Sequence, residues 1–245
     1  MNPTVDLLLA HRSIRRFTDE ALSEETVRTI VACGQAAASS SNVQATSVIR
    51  VRDDARRARL AELAGGQPYV ASAPVFLVWC ADLRRSAAAC VREGGEFEAG
   101  MTEHFLIASV DVALAAQNAC VAAESLGLGI CYIGGLRNAI ADVADMLALP
   151  AQVYPMFGLC LGHPAQDVQV KPRLPLEAVL MEETYDAEFQ DALVAEYDDT
   201  MAAYYRSRSG GTKESTWSAE MRSLLGKESR PHMKGFLNER GLATR

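Results

Sequence analysis

No two of the six cysteines (Cys33, Cys80, Cys90, Cys120, Cys131 and Cys160) form a C-x-x-C pair, and none has histidines at zinc-like spacing. That excludes the common dithiol redox pair and the compact zinc site. Cys80, Cys120 and Cys160 lie inside apolar runs, where a thiol behaves as a small hydrophobe. Reduced core thiols, no metal and a cytoplasmic setting are therefore expected. Basic charge is also scarce: 24 Lys and Arg against 31 Asp and Glu leave a net charge of −7. A chain this acidic lacks the broad basic face that nucleic acid requires. The opening residues 1–6 contain no basic n-region, and Asp6 interrupts the short apolar run before His11 and Arg12, so no secretory leader is expected. The longest apolar stretch, residues 110–123, carries Asp111, Gln117 and Asn118 and reads as too short to span a bilayer, so no membrane partner is expected. Internal repeats and low-complexity tracts are missing too. What is present, 49% apolar and 22% charged residues, is the composition of a globular protein with a sizeable core.

Helix and strand signals interleave along most of the chain. Thr4 is placed to cap a first helix running to about residue 10, and Ser23 to cap a second with Val27, Ile30 and Val31 facing inward. Residues 47–52 form a β-branched run that reads as a strand, and 53–64 read as a helix closed by Gly65-Gly66. The apolar runs 74–80 and 155–161 read as buried strands, with a shorter strand at 130–133. Residues 96–126 read as a helix apolar on nearly all sides, which belongs in a core or between subunits. Further helices are expected at 136–149, 187–206 and from about 216 to 242, with a loop at 207–213. No linker interrupts the pattern before Pro175. One α+β domain spanning 1–245 is therefore expected, its residues from about 176 onward forming a C-terminal excursion that wraps a partner subunit.

Two compact basic spots stand out in the acidic chain: His11-Arg12-Ser13-Ile14-Arg15-Arg16-Phe17, and Lys171-Pro172-Arg173. Arginine forks beside a hydroxyl suit a phosphate or a carbonyl-rich ring. An isolated basic run would ordinarily be a solvated helix face, but two such spots point to one bound anion. Gly127-x-Gly129 with Gly134-Gly135 superficially resembles a dinucleotide fingerprint, yet these glycines follow a helix instead of joining a strand to a helix. Gly134 and Gly135 are better suited to a close approach of backbone to a flat ligand, or to a tight turn.

These blocks occur in order with several others: Ser39-Ser40-Ser41, Gly66-Gln67, A-Q-N-A at 116–119, A-E-S-L-G-L-G at 123–129 and Y-I-G-G-L-R-N at 132–138. F-G-L-C-L-G at 157–162, K-P-R-L-P at 171–175 and K-E-S-R-P at 227–231 complete the series. Across essentially its whole length the chain resembles the oxygen-insensitive NADPH nitroreductase and FMN reductase group of the nitroreductase superfamily. The resemblance implies a homodimer with a mixed sheet flanked by helices, C-terminal segments swapped between subunits, and FMN at the subunit interface. It implies that His11, Arg12, Ser13 and Arg15 hold the flavin phosphate and ribityl region together with Lys171 and Arg173. Ser39 and Gln67 would contact the flavin, and Tyr132, Ile133, Gly134 and Gly135 would approach its ring. Ser41 and Arg230 would line the acceptor pocket, and Arg208 and Lys213 would receive the NADPH 2′-phosphate. Lys213 stands where a second arginine is usual, and the loop is one residue longer; a lysine neutralises phosphate as a point charge but loses the fork. Asn42 replaces a larger apolar neighbour in the pocket loop, a change that bears on acceptor preference.

The implied activity is ping-pong electron transfer from NADPH through FMN to small acceptors: nitroaromatics, quinones, chromate or free flavin. Lys171 would help stabilise the reduced ring, and no side chain need serve as nucleophile or obligatory base. His11 would position the flavin, and His104, His163 and His232 would be incidental. A flavin reductase supplying free reduced FMN is an alternative within the same chemistry. A flavin carrier or sensor without turnover is an alternative outside it.

Overall fold

The computed structural model describes residues 2–208 and 210–245. It divides into two compact units, Met1–Val168 with His232–Arg245, and Gln169–Pro231. The last residues of the chain, His232–Arg245, thus belong to the first unit.

The first unit is built on a four-stranded sheet in the order β1-β2-β4-β3, with β1 Thr46–Arg50, β2 Val75–Asp82, β3 Gly129–Ile133 and β4 Val153–Gly162. All three strand pairs are antiparallel; a single parallel bridge joins Ser13 to Ile130. Every residue of β2 is buried, as its unbroken apolar run requires of a central strand. Gly158 of β4 leaves room for the Phe76 ring, which an added Cβ would strike.

Helices cover the sheet: α1 Pro3–Leu9, α2 Glu24–Gln35, α3 Asp54–Leu63, α4 Pro68–Ser72, α5 Arg84–Arg92, α6 Thr102–Ser125, α7 Ile140–Met146 and α10 Met233–Glu239. Ser23 caps α2 as expected, its hydroxyl accepting from the Thr26 N–H at 3.0 Å. α1 departs from expectation: Asn2, not Thr4, is the cap, accepting from Val5 N at 3.0 Å, with Pro3 in the first turn. α6 begins at Thr102 instead of near 96, after Gly100 turns the chain at φ 83° against Thr244. By length and composition alone α6, 24 residues long, would pass for a membrane-crossing helix. In this fold it packs eight residues, Ala108 to Ala123, into the core. Residues 134–139 form a tight 3-10 turn ahead of α7, where one longer helix was expected.

The second unit holds α8 Ala187–Arg208 and α9 Trp217–Leu225. Its core is small: Tyr197, Met201 and Tyr205, flanked by Leu174, Tyr204 and Trp217. α8 runs two residues beyond the expected end. The final expected helix is divided, because Gly226 ends α9 and Arg230 adopts φ 52° before α10 begins.

Candidate functional site

After α1 the chain becomes an extended strap along the end of the sheet. The Ile14 N–H donates to the Ile130 carbonyl at 2.8 Å, and Ile14 is 4% exposed. Gly129 permits this approach, since a Cβ there would fall within 2.7 Å of the Ile14 side chain. Farther along, Thr18 N donates to His163 O at 2.9 Å and Ala165 N to Arg16 O at 2.9 Å. The buried Ile14 therefore anchors a strap on which Arg12 and Arg15 are exposed and Ser13 is half-buried. His11 is held from the side by α6, with Nδ1 2.7 Å from Glu124 Oε1. His11, Cys120 and Glu124 each place one ligand-type atom within 4.8 Å of the others, a grouping found once among the described residues. The His11–Glu124 spacing is that of a hydrogen bond. Burial, together with Glu124, pushes the Cys120 thiol up to about 12, so it stands protonated in this group.

The strap meets a second cluster at the turn between α3 and α4. Gln67 donates from Nε2 to the Ala64 carbonyl at 2.7 Å and accepts from the Tyr69 hydroxyl at 2.6 Å. Burial raises the Tyr69 pKa, Cys131 adding to the rise and the neighbouring Arg15 opposing it. Gly135 closes on the same corner: a Cβ there would lie 2.5 Å from Gln67 Nε2 and closer still to the Ala64 carbonyl oxygen. Ile133, fully buried, ends β3 immediately before Gly134 and Gly135. The Tyr132 and Phe157 rings meet at right angles, 5.0 Å between centroids, and the Tyr132 hydroxyl donates to Gln117 at 3.3 Å. Desolvation pushes the Tyr132 pKa upward. The turn is braced from the C-terminus, where His232 Nε2 lies 2.9 Å from the Arg137 carbonyl.

Ser39 and Ser41 lie elsewhere on the first unit. Ser39 Oγ donates to Asp111 Oδ2 at 2.7 Å and accepts from Gln44 N at 2.7 Å. Asp111 also accepts from Ser40 N at 3.1 Å and Ala45 N at 3.0 Å. Ser41 is exposed on the loop so formed, which borders a cavity of about 490 Å³. The Ser39 loop and His11 thus touch α6 at Asp111 and Glu124, separated by about 20 Å of helix at 1.5 Å per residue. One chain does not bring Ser39 together with His11.

Within the second unit, Lys171 and Lys213 converge on one ring. Their Nζ atoms lie 5.5 Å and 4.1 Å from the Tyr205 centroid. The Lys171-Pro172-Arg173 segment is fixed by the Tyr197 hydroxyl, which donates to Pro172 O at 2.7 Å. Lys213 pairs with Glu220 at 2.9 Å; Ser215 first, then Lys213, hold the Glu220 carboxyl below its ordinary range. Arg208 is exposed at the last position of α8, and Arg230 is half-buried before α10. Ser209 of the expected 2′-phosphate loop lies outside the described residues.

Three participants went unassigned in the sequence reading: Tyr69, Asp111 and Glu124. Asp111 carried a visible signal, a lone carboxylate inside an apolar helical run, since such a group must find donors when buried. Tyr69 and Glu124 carried none, because their roles depend on partners distant in sequence.

Comparison with known proteins agrees with this architecture. The nitroreductase family model matches residues 8–163, and the model of the nitroreductase family C-terminal domain matches 171–245. The chain is 48% identical to the NADPH-flavin oxidoreductase of Vibrio harveyi over 245 residues, covering 100% of both. It is 45% identical to the oxygen-insensitive NADPH nitroreductase of Salmonella typhimurium, again over 100% of both. The solved structure of NADPH:FMN oxidoreductase from Vibrio harveyi complexed with NAD+ superposes with a TM-score of 0.91 at 46% identity, covering 100% of each chain. The chain belongs to the nitroreductase family.

Proposed function

We propose that this protein is an NADPH-dependent FMN oxidoreductase that reduces nitroaromatics, quinones, free flavin or related small acceptors by a ping-pong mechanism. The carrying observation is the corner where Arg15, the Gln67–Tyr69 pair and Gly135 meet at the end of β3. Its donor set fits FMN. Arg12, Ser13 and Arg15 offer cationic forks and a hydroxyl to a phosphate. Gln67 uses one amide proton on Ala64 O and one lone pair on Tyr69, so a second of each remains for the polar edge of a ring. Gly134 and Gly135 lack the Cβ atoms that would hold a flat ligand away from their backbone. FMN, when bound, supplies the two-electron carrier between NADPH and acceptor.

The chain's own part is to bind and orient. The Ile14 anchor and the Glu124 contact fix the strap, so its arginines pay little entropy to close on an anion. Lys171 and Arg173 add charge to the phosphate and reduced-ring side of the site, as the family pattern implies. Arg208 and Lys213 receive the NADPH 2′-phosphate, and Ser41 and Arg230 border the acceptor.

The working unit is a homodimer with exchanged C-terminal segments. Leu106, Val110 and Leu114, one helical turn apart on α6, remain 49%, 54% and 44% exposed, an apolar stripe suited to a second copy. Dimerisation also supports the use of Ser39, which would serve the flavin bound by the partner's strap. Six free thiols suit a reducing, cytoplasmic setting. Initial rates measured with varied NADPH and varied quinone test the reading. Parallel double-reciprocal lines are expected; intersecting lines would exclude the two separate half-reactions.

A further inference from the structure

We propose that Asp111 is a positioning residue that holds the Ser39–Gln44 loop in the conformation that binds the electron acceptor. The proposal rests on the oxidoreductase reading and names how this chain shapes that site. Asp111 is 2% exposed on the core face of α6. Its Oδ1 accepts from Ser40 N at 3.1 Å, while Oδ2 accepts from Ser39 Oγ at 2.7 Å and Ala45 N at 3.0 Å. One carboxylate therefore ties both ends of the loop, and Ser39 Oγ adds an internal tie by accepting from Gln44 N at 2.7 Å.

What lies between those ties is strained. Ser41, Asn42 and Gln44 have φ of 47°, 59° and 53°, left-handed values that non-glycine residues avoid. Such residues persist only where the surroundings over-determine them. Arg85 contributes a second restraint, donating to Gln44 O at 3.0 Å and Thr46 O at 2.5 Å. Arg85 grips only the far end, so Asp111, with Ser39 Oγ, is what joins the two ends of the loop. Ser41, the acceptor-side residue, rides on the strained part.

The chemistry demands a carboxylate. Three donors face the two oxygens, and a carboxylate presents acceptors only. In Asp111→Asn the amide NH2 must face at least one of them. Turned toward Ser40, it meets an N–H; turned the other way, it meets the Ala45 N–H, which cannot reverse as a hydroxyl can. Either orientation releases one end of the loop.

The test compares Asp111→Asn with wild type as FMN-loaded enzymes. Expected is a KM for quinone raised about tenfold, the worth of one lost buried charge-assisted bond. Amide exchange at Ser40 or Ala45 is expected to be faster by about tenfold as well, in apoprotein and loaded protein alike. A lowered melting temperature with unchanged KM and unchanged exchange would overturn the proposal and leave Asp111 a fold-stability residue. If Asp111→Asn does not fold, Ser39→Ala breaks the hydroxyl tie alone; unchanged exchange at Gln44 would then overturn it. Failure of NADPH to reduce wild-type protein would instead sink the oxidoreductase reading, with the exchange measurement still deciding the role of Asp111 in the loop.

Discussion

Adding one methyl group at Gly135 tests whether the corner at the end of β3 is as tight as the geometry says. In Gly135→Ala the new Cβ would lie 2.5 Å from Gln67 Nε2 and 3.1 Å from the Ala64 carbonyl carbon. Carbon contacts relax near about 3.5 Å, so the turn and the α3 C-terminus must separate by about 1 Å. Ala64 is 1% exposed and its carbonyl already accepts from Gln67, so the displacement cannot be absorbed by a flexible surface side chain. Overpacking of this kind costs about 2 kcal/mol. In a chain of this length that lowers Tm by roughly 4–8 °C. Because Gln67 is pushed from its place, FMN affinity should fall with it. Differential scanning of apoprotein, combined with fluorescence titration of FMN, reads both effects. A melting temperature and FMN affinity equal to wild type would refute the close packing of Gly135 on Gln67 and Ala64.

Other consequences can be measured separately. Arg15→Ala should lose FMN on dialysis while changing stability by less than about 0.5 kcal/mol, since Arg15 is exposed; full retention would remove Arg15 from the site. A thiol reagent should label Cys33 and Cys90 in native protein and spare the four buried cysteines until unfolding. Burial raises Cys80 and Cys120 from 9.0 to about 12, and Tyr154 from 10.0 to about 12, so the folded state keeps protons that the unfolded chain releases. Their contribution is full below the unfolded values and is lost as pH rises from 9.0 through about 12. Each thiol then removes up to about 1.4 kcal/mol per pH unit, visible as a falling urea midpoint in alkaline buffer. A midpoint that stays level there would show those thiols to be accessible.

Local features of the fold were legible wherever neighbours in sequence determine them. β2 and β4 showed as apolar runs, and the Ser23 cap and the Gly65-Gly66 stop, at φ 90° and 73°, act within a few residues of the helices they bound. α5 gives only a faint signal because its inward face, Ser86, Ala87, Ala89 and Cys90, is made of small residues, none of them fully buried. The division between α9 and α10 has a local signal in Gly226, which ends α9, whereas the left-handed Arg230 after it is not announced by residue type. In the site, residue identities could be listed but not their grouping. His11 meets Glu124 across 113 positions and Ser39 meets Asp111 across 72, contacts that only tertiary packing creates.

The most direct measurement is an anaerobic visible spectrum of purified, FMN-reconstituted protein before and after one equivalent of NADPH. The oxidised-flavin band should bleach on NADPH and return when a quinone or nitroaromatic is added, one half-reaction following the other. A band that survives NADPH would make the protein a flavin binder without turnover. No band at all after incubation with FMN would contradict the site itself.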